Sequence, residues 1–218
     1  MQDLQLVIFD CDGVLVDSET ISNDVLARML TAEGLPTTLA ESRRLYQGLL
    51  LSEVLEQVEQ KLGRSLGPGW LAGYERVRSE AFRRELRPVP GAIEAIELVH
   101  AAGLGACVAS QGKLEKTKLS LEITGMRGLF EDEALFSAYS VPRGKPHPDL
   151  FLHAATTMGA DPAGCAVVED TPSGVIAGVS AGMRVLGYAA DSDERLLREA
   201  GATTFSSLKR LPELLTIA

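Results

Sequence analysis

Histidine and cysteine are scarce in this sequence, with three copies of each. The histidines are His100, His147 and His153. No two of them share a helix face at the i, i+4 spacing of helical zinc sites, which argues against a site of that kind. The cysteines are Cys11, Cys107 and Cys165. Because each lies in or beside a predicted buried strand without metal-ligand spacing, we expect three reduced core residues.

Basic residues and long apolar runs are also in short supply. Lys and Arg number 21 against 30 acidic residues, and the formal net charge is -9. Nucleic acids and anionic membranes select basic patches, so we expect neither as a partner. No apolar run approaches the ~18 residues needed to span a bilayer. The chain begins with a core strand rather than a basic and then apolar leader, so we expect a cytoplasmic protein.

The apolar residues that are present follow two different patterns. Residues 18–86 show helical stripes and no convincing strand. In the later part of the chain, predicted strands and helices alternate, which indicates right-handed crossovers in a parallel sheet. We therefore predict an α/β fold with a doubly wound, Rossmann-like parallel sheet. Its core would comprise residues 1–16 and 87–218, and a helical domain of residues 17–86 would be inserted into it.

A short apolar run followed by two acids is the most informative local pattern. Leu6–Phe9 predicts a strand buried on both faces, which is typical of parallel sheets. Asp10 and Asp12 follow, and the alternation of extended backbone places both on the same side. Gly13 then allows a sharp turn. Neighbouring buried acids repel, so they need a cation or a shared proton, although a lone Asp-x-Asp is more often an ordinary polar turn.

Polar residues also end two later strands. Ser110-Gln111-Gly112 opens a helix and offers a hydroxyl and backbone N–H groups to a phosphate, although alone it equally fits a helix cap. Glu169 and Asp170 end another strand. Ligands of doubly wound sheets bind beyond the carboxyl ends of the strands, where these acids would join the earlier pair. Such a set of hard oxygen ligands favours Mg²⁺.

A lysine on a stiffened loop completes the set. Lys145 lies between Gly144 and Pro146, a context in which an ordinary solvated lysine is the alternative. These acids, Ser110 and Lys145, in this order and at these strand ends, resemble the motifs of the haloacid dehalogenase-like superfamily. The resemblance covers essentially the whole chain. The stretches that carry the resemblance are 10–18, 144–149 and 168–174. The helical insert and the second acid, Asp12, resemble the phosphatase and β-phosphoglucomutase-like branch, which implies phosphoryl transfer.

The resemblance implies a role for each acid. Asp10 would be the nucleophile that accepts the phosphoryl group as an aspartyl-phosphate. Asp12 would protonate the leaving oxygen and then activate the hydrolytic water. Magnesium would be held by the Asp10 carboxylate, the Asp12 backbone carbonyl and Asp170, with Glu169 binding it directly or through another ligand.

The resemblance also implies how the phosphoryl oxygens are held. Ser110, the Gln111 N–H and Lys145 would bind them, and Lys145 would pair with Asp10. Relatives commonly carry Asn, Ser or Ala where this chain has Gln111. The longer side chain could therefore narrow the site.

The helical insert would act as a cap that closes over the crevice and reads the leaving group. Substrate-reading residues are expected at Glu19, Gln47 and Gly48, although a loop of this kind is as often only a connection. We expect a monomer whose partner is a small phosphorylated metabolite, and a magnesium-dependent phosphatase for a sugar phosphate or sugar-acid phosphate is the leading function. A β-phosphoglucomutase-like sugar phosphomutase and a phosphometabolite-binding protein without turnover are the alternatives.

Overall fold

The structure, a computed structural model, describes residues 3–216, and the chain divides into two compact units. The helical unit is Asp17–Arg87, and the sheet unit is the chain up to Val16 and from Pro88 onward. Val16 and Pro88 form an isolated antiparallel bridge within the sheet unit. The chain therefore leaves the sheet unit and returns to it through adjacent backbone segments.

One parallel sheet, with six strands in the described residues, forms the centre of the sheet unit. The strands are β1 (Leu6–Phe9), β2 (Gly105–Ser110), β3 (Leu135–Ser137), β4 (Cys165–Glu169), β5 (Arg184–Tyr188) and β6 (Thr203–Phe205). Their spatial order is β3-β2-β1-β4-β5-β6, in which the direction of winding reverses at β1. Every residue of β1 and β4 is buried. The predicted doubly wound α/β fold is confirmed.

The helical unit contains four α-helices, counted over its own residues, all of which are described. They are α1 (Glu19–Ala32), α2 (Leu39–Tyr46), α3 (Leu51–Leu62) and α4 (Trp70–Glu85). Their apolar faces meet in one buried cluster, since each helix carries a stripe on one side only. The start of α2 is fixed by a capping box, in which Thr38 and Glu41 each accept the other's backbone N–H.

Helices connect the strands of the sheet unit and cover the sheet. They are α5 (Ala92–Ala101), α6 (Leu114–Ile123), α7 (Asp149–Thr157), α8 (Pro172–Ser180), α9 (Glu194–Glu199) and α10 (Leu211–Leu215). Asp170 and Thr171 connect β4 to helix α8, with Thr171 as N-cap and Pro172 in the first turn of the helix. Across residues 3–216, the helices are all too short or too polar to cross a membrane.

The strand register determines which residues meet at the carboxyl edge of the sheet. Phe9, the last residue of β1, is paired with Val108 on β2 and with Val168 on β4. Because these neighbouring strands are parallel, the residues that follow them emerge at one edge. Asp10, Ser110 and Glu169 are therefore brought together by the order of the strands.

Candidate active site

The turn after β1 presents the first two acids. The Asp10 N–H donates to the Val168 carbonyl at 2.9 Å, so Asp10 continues the line of the strand. The Cys11 carbonyl then accepts the N–H groups of Leu15 and Val16, at 2.9 and 3.0 Å, which closes a tight turn. The side chain of Cys11 is completely buried, and burial raises the pKa of its thiol well above the ordinary value. Cys11 is therefore a core residue and not a nucleophile.

Gly13 is required in this turn for its conformation and for space. Its φ of +77° lies in the left-handed region that favours glycine. A Cβ at this position would overlap the carboxylate of Asp170. Asp170 is buried and lies directly against the turn that follows Asp12. The missing side chain of Gly13 thus lets an acid from β4 approach the backbone next to the β1 acids.

Lys145 is the buried cation at the centre of the site. Its ammonium donates to Asp10 Oδ1 at 2.5 Å, to Glu169 Oε1 at 2.7 Å and to the Ala109 carbonyl at 3.0 Å. These three bonds use all the N–H donors of a lysine ammonium. Burial alone lowers the pKa of Lys145, but the carboxylates of Asp10 and Glu169 outweigh burial, and the net shift is upward. Lys145 is therefore a fixed positive charge, not a solvated loop lysine.

Asp10 is held in surroundings that disfavour its charge. The pKa of Asp10 is raised to about 7, chiefly by burial, which Lys145 opposes and to which the nearby carboxylates of Glu169 and Asp12 add. A carboxylate in this position gains from any additional positive charge. The electrostatic surroundings of Asp10 therefore favour the binding of a further cation next to it.

Both carboxylate oxygens of Glu169 are already engaged. Oε1 accepts from Lys145, and Oε2 accepts from the backbone N–H and the hydroxyl of Thr171 at 2.7 and 2.8 Å. A Cβ at Gly174 would overlap this carboxylate, so α8 can pack against it only because a glycine stands there. Glu169 therefore supports Lys145 and is poorly placed to give an oxygen to a metal ion.

The carboxylate of Asp12 contacts a second lysine, which sequence reasoning missed. Lys116, in the first turn of α6, forms an ion pair with Asp12 Oδ1, and its side chain is only 9% exposed. A Cβ at Gly112 would lie 3.1 Å from Lys116 Cδ, so the glycine leaves room for the lysine stem. The Ser110 hydroxyl also lies 3.4 Å from Asp12 Oδ2 as a donor. A lysine one helical turn after a strand-end glycine is the signal that could have indicated this pair.

Ser110 is the last residue of β2 and Gln111 follows it, and their side chains contact different neighbours. Ser110 is fully buried, and its Oγ accepts the Gly112 N–H at 3.0 Å. The side-chain amide of Gln111 contacts the backbone of Lys145, with its Oε1 accepting the Lys145 N–H at 3.0 Å. The side chain of Gln111 is thus bound to the lysine loop rather than directed into the space beyond Asp10, and the predicted narrowing of the site gains no support.

The structure brings together the predicted site residues of the sheet unit. The linked residues are Asp10, Asp12, Ser110, Gln111, Lys145, Glu169 and Asp170. Glu19, Gln47 and Gly48 lie in the helical unit, and their role in reading the substrate stays a prediction. Glu19 begins α1, where Asn23 Nδ2 donates to its Oε2 at 3.1 Å. Gln47 follows α2, and Gly48 has a φ of +79°.

The donors at this edge of the sheet fit a magnesium ion. Within residues 3–216, no group of three or more His, Cys, Asp or Glu side chains could hold a metal ion on its own. Mg²⁺ does not need such a cage, because it keeps several waters and binds through one or two carboxylates. Asp10 precedes the Gly13 turn and Asp170 lies against it, so two carboxylates and the backbone carbonyl of Asp12 are the candidate ligands. The Asp12 carboxylate, paired with Lys116, would not be needed as a ligand.

Comparisons with known proteins find relatives over the full length. A family model described as haloacid dehalogenase-like hydrolase matches residues 4–182. The 6-phosphogluconate phosphatase of Escherichia coli (strain K12) is 33% identical over 215 residues, covering 98% of this chain and 96% of that protein. A solved HAD family hydrolase from Deinococcus radiodurans R1, with bound phosphate and sodium, has a TM-score of 0.78 at 30% identity and covers 98% and 95% of the two chains. A putative β-phosphoglucomutase from Thermotoga maritima has a TM-score of 0.79 at 26% identity, covering 98% and 99%.

Proposed function

Given that the chain belongs to the haloacid dehalogenase-like hydrolase family and is a phosphoric monoester hydrolase, we propose that it hydrolyses a small sugar phosphate or sugar-acid phosphate through an aspartyl-phosphate on Asp10, with Mg²⁺. The observation that carries the proposal is the contact of one buried ammonium, that of Lys145, with both Asp10 and Glu169. A carboxylate held at a strand end by a buried cation is suited to attack an anionic substrate.

The substrate class rests on the full-length relative. The Escherichia coli protein that is 33% identical is named for a phosphorylated sugar acid, and a second relative, 32% identical over 180 residues, is named hexitol phosphatase B. Both names describe a phosphate ester on a polyhydroxylated carbon chain. We extend that class, and not a particular member of it, to this protein.

The reaction would proceed in two displacements. In the first, an Asp10 oxygen forms a bond to phosphorus while the bond from phosphorus to the leaving oxygen breaks, and Asp12 gives a proton to that oxygen. In the second, Asp12 takes a proton from a water whose oxygen attacks the phosphorus, which releases inorganic phosphate and restores Asp10. Ser110 and the Gln111 N–H, at the end of β2 and in the turn before α6, would hold phosphoryl oxygens during both steps.

Electrostatics explains why two lysines surround the acids. A carboxylate about 4 Å from one negative charge of a phosphate is repelled by ~4 kcal/mol at an effective dielectric constant near 20. Lys145 beside Asp10 and Lys116 beside Asp12 offset this repulsion and also fix the two carboxylates. Magnesium, held by Asp10, Asp170 and the Asp12 carbonyl, would supply further charge neutralisation. Phosphoryl transfer depends mainly on positioning and charge neutralisation, so these few groups suffice.

A sugar phosphomutase is the second candidate, because a putative β-phosphoglucomutase is among the structures similar to this chain. In the mutases that the chain resembles, a His typically follows the first motif, and a basic residue follows the glycine of the cap loop. Residues 18–23 and 48–52 of this chain contain no His, Lys or Arg. Net hydrolysis is therefore the favoured outcome.

The proposed function can be tested with purified protein and a panel of sugar phosphates and sugar-acid phosphates, followed by phosphorus NMR. We expect inorganic phosphate to accumulate with Mg²⁺, to stop when EDTA is added, and to resume when Mg²⁺ is restored. Interconversion of phosphate positions on one sugar without free phosphate would identify the mutase instead. Full turnover in EDTA would contradict the metal requirement.

A further inference from the structure

Gln111 makes an unusual pair of contacts with the residue that carries the central cation. Its Oε1 accepts the Lys145 backbone N–H at 3.0 Å, and its Nε2 lies 3.4 Å from the Lys145 carbonyl oxygen as a donor. One side-chain amide thus contacts both polar groups of a single residue in another loop. Two contacts of this kind restrict the rotation of the backbone as well as its position.

Gly144 provides the space in which the Gln111 side chain lies. A Cβ at position 144 would be 2.8 Å from Nε2 and 2.9 Å from Oε1 of Gln111. Gly144 is not one of the glycines with a positive φ, so its backbone conformation does not explain the glycine. The side chain of Gln111 explains it, because any larger residue at position 144 would displace the amide.

We propose that Gln111 is a positioning residue, which holds the backbone of Lys145 so that the ammonium reaches Asp10 and Glu169 together. The inference rests on the proposed function of Lys145 at that site. Both polar atoms of the Gln111 side chain contact the Lys145 backbone, which favours positioning over reading of the substrate. The backbone N–H of Gln111 keeps its separate role toward the phosphoryl group.

The contacts can be tested without any enzymatic assay. Hydrogen exchange of the Lys145 amide, followed by NMR, should be slow in the wild type and faster in Gln111→Ala, which removes the acceptor. Gln60→Ala, at an exposed position of α3, is the matched control and should leave this amide unchanged. An equally slow Lys145 amide in Gln111→Ala would overturn the proposal, whatever the activity of the protein.

The positioning role is tested by kinetics on two substrates of different size. We expect Gln111→Ala to lower kcat about tenfold, the size of one hydrogen bond, and to lower it by the same factor for both substrates. The ratio of kcat/KM between the two substrates should stay within about twofold of the wild-type ratio. A variant that keeps wild-type kcat, or one that changes the preference between substrates, would show that the side chain is not a positioning group.

A double-mutant cycle separates this role from a general loss of structure. Gly144→Ala should lower kcat in the wild-type background, because its Cβ meets the Gln111 amide. In the Gln111→Ala background, Gly144→Ala should lower kcat only slightly, since no side-chain amide is left for the Cβ to displace. An equal loss of kcat on Gly144→Ala in the two backgrounds would contradict the inference. If the wild type itself releases no phosphate from any substrate of the panel, the proposed function fails, and the exchange experiment still decides whether Gln111 holds Lys145.

Discussion

Lys145 and Asp10 are 135 positions apart in the chain, and the ammonium of the first lies 2.5 Å from a carboxylate oxygen of the second. Asp10 follows the central strand of the sheet, and Lys145 lies on the loop before α7. Glu169, at the end of β4, contacts the same ammonium at 2.7 Å. Three separate segments of the chain therefore meet at one charge.

Asp10→Asn should abolish turnover and should also stabilise the metal-free protein near pH 8. Burial raises the folded-state pKa of Asp10 to about 7, whereas an aspartate in an unfolded chain has a pKa of about 3.9. Between these values the folded state binds a proton that the unfolded state has released, so the wild type loses stability as the pH rises through the window. Asparagine does not titrate, so the stability of the variant relative to the wild type should increase from about pH 4 to pH 7.

Thermal unfolding of both proteins in EDTA, at about pH 5 and pH 8, measures this effect. The difference in Tm between the variant and the wild type should be larger at the higher pH. An Asp10→Asn protein that melts below the wild type by the same margin at both pH values would show that burial of the charge carries no cost.

Lys116→Met should impair proton donation by Asp12 more than phosphate binding. Lys116 contacts Asp12, so its loss leaves that carboxylate less well fixed. We expect kcat/KM for an alkyl phosphate, whose leaving oxygen needs a proton, to fall about 10²-fold, within the range of general acid catalysis. For nitrophenyl phosphate, whose leaving group needs no proton, kcat/KM should fall far less.

Lys118→Met is the control on the same helix, because Lys118 is 38% exposed and pairs with the exposed Asp132. It should behave as the wild type toward both substrates. If Lys116→Met lowers kcat/KM equally for the two leaving groups, Lys116 acts on the phosphoryl group or on the fold and not through Asp12.

Gly13→Ala should reduce activity much more than Gly103→Ala. Both glycines have a positive φ, +77° and +73°, so both substitutions incur the strain of a left-handed alanine, about 1 kcal/mol. Only the Cβ at position 13 would overlap the Asp170 carboxylate, whereas position 103 has nothing within 4 Å. Phosphate release at several Mg²⁺ concentrations should show a higher Mg²⁺ requirement for Gly13→Ala alone. Similar losses in both variants would mean that strain, and not displacement of Asp170, causes the effect.

The sequence predicts the fold because it depends on patterns along the chain. Alternating strands and helices after residue 88 are sufficient for a doubly wound sheet, and the strand order then places the acids of β1 and β4 at one edge. The contact between Lys116 and Asp12 depends instead on the path of the turn after β2. The spacing of Lys116 from Gly112 hints at the contact, but it does not specify that path or identify Asp12 as the partner.

Neighbouring residues with similar side chains show a second limit of sequence reasoning. Glu169 and Asp170 are adjacent acids, and the sequence leaves open whether Glu169 binds the metal directly or through another ligand. In the structure Glu169 binds Lys145 and Thr171, whereas Asp170 lies against Gly13. The side chain of Gln111 likewise binds the Lys145 backbone. Such choices among polar partners depend on distances between separate loops, which a sequence does not specify.

Chemical trapping of the phosphorylated residue tests the central claim most directly. Protein turning over substrate with Mg²⁺ is quenched and treated with borohydride, which reduces an acyl phosphate to an alcohol, and the peptides are sequenced by mass spectrometry. We predict homoserine at position 10 in the wild type, and none when substrate is omitted. Turnover without modification at position 10, or modification at Asp12 instead, would contradict the assignment of Asp10 as the nucleophile.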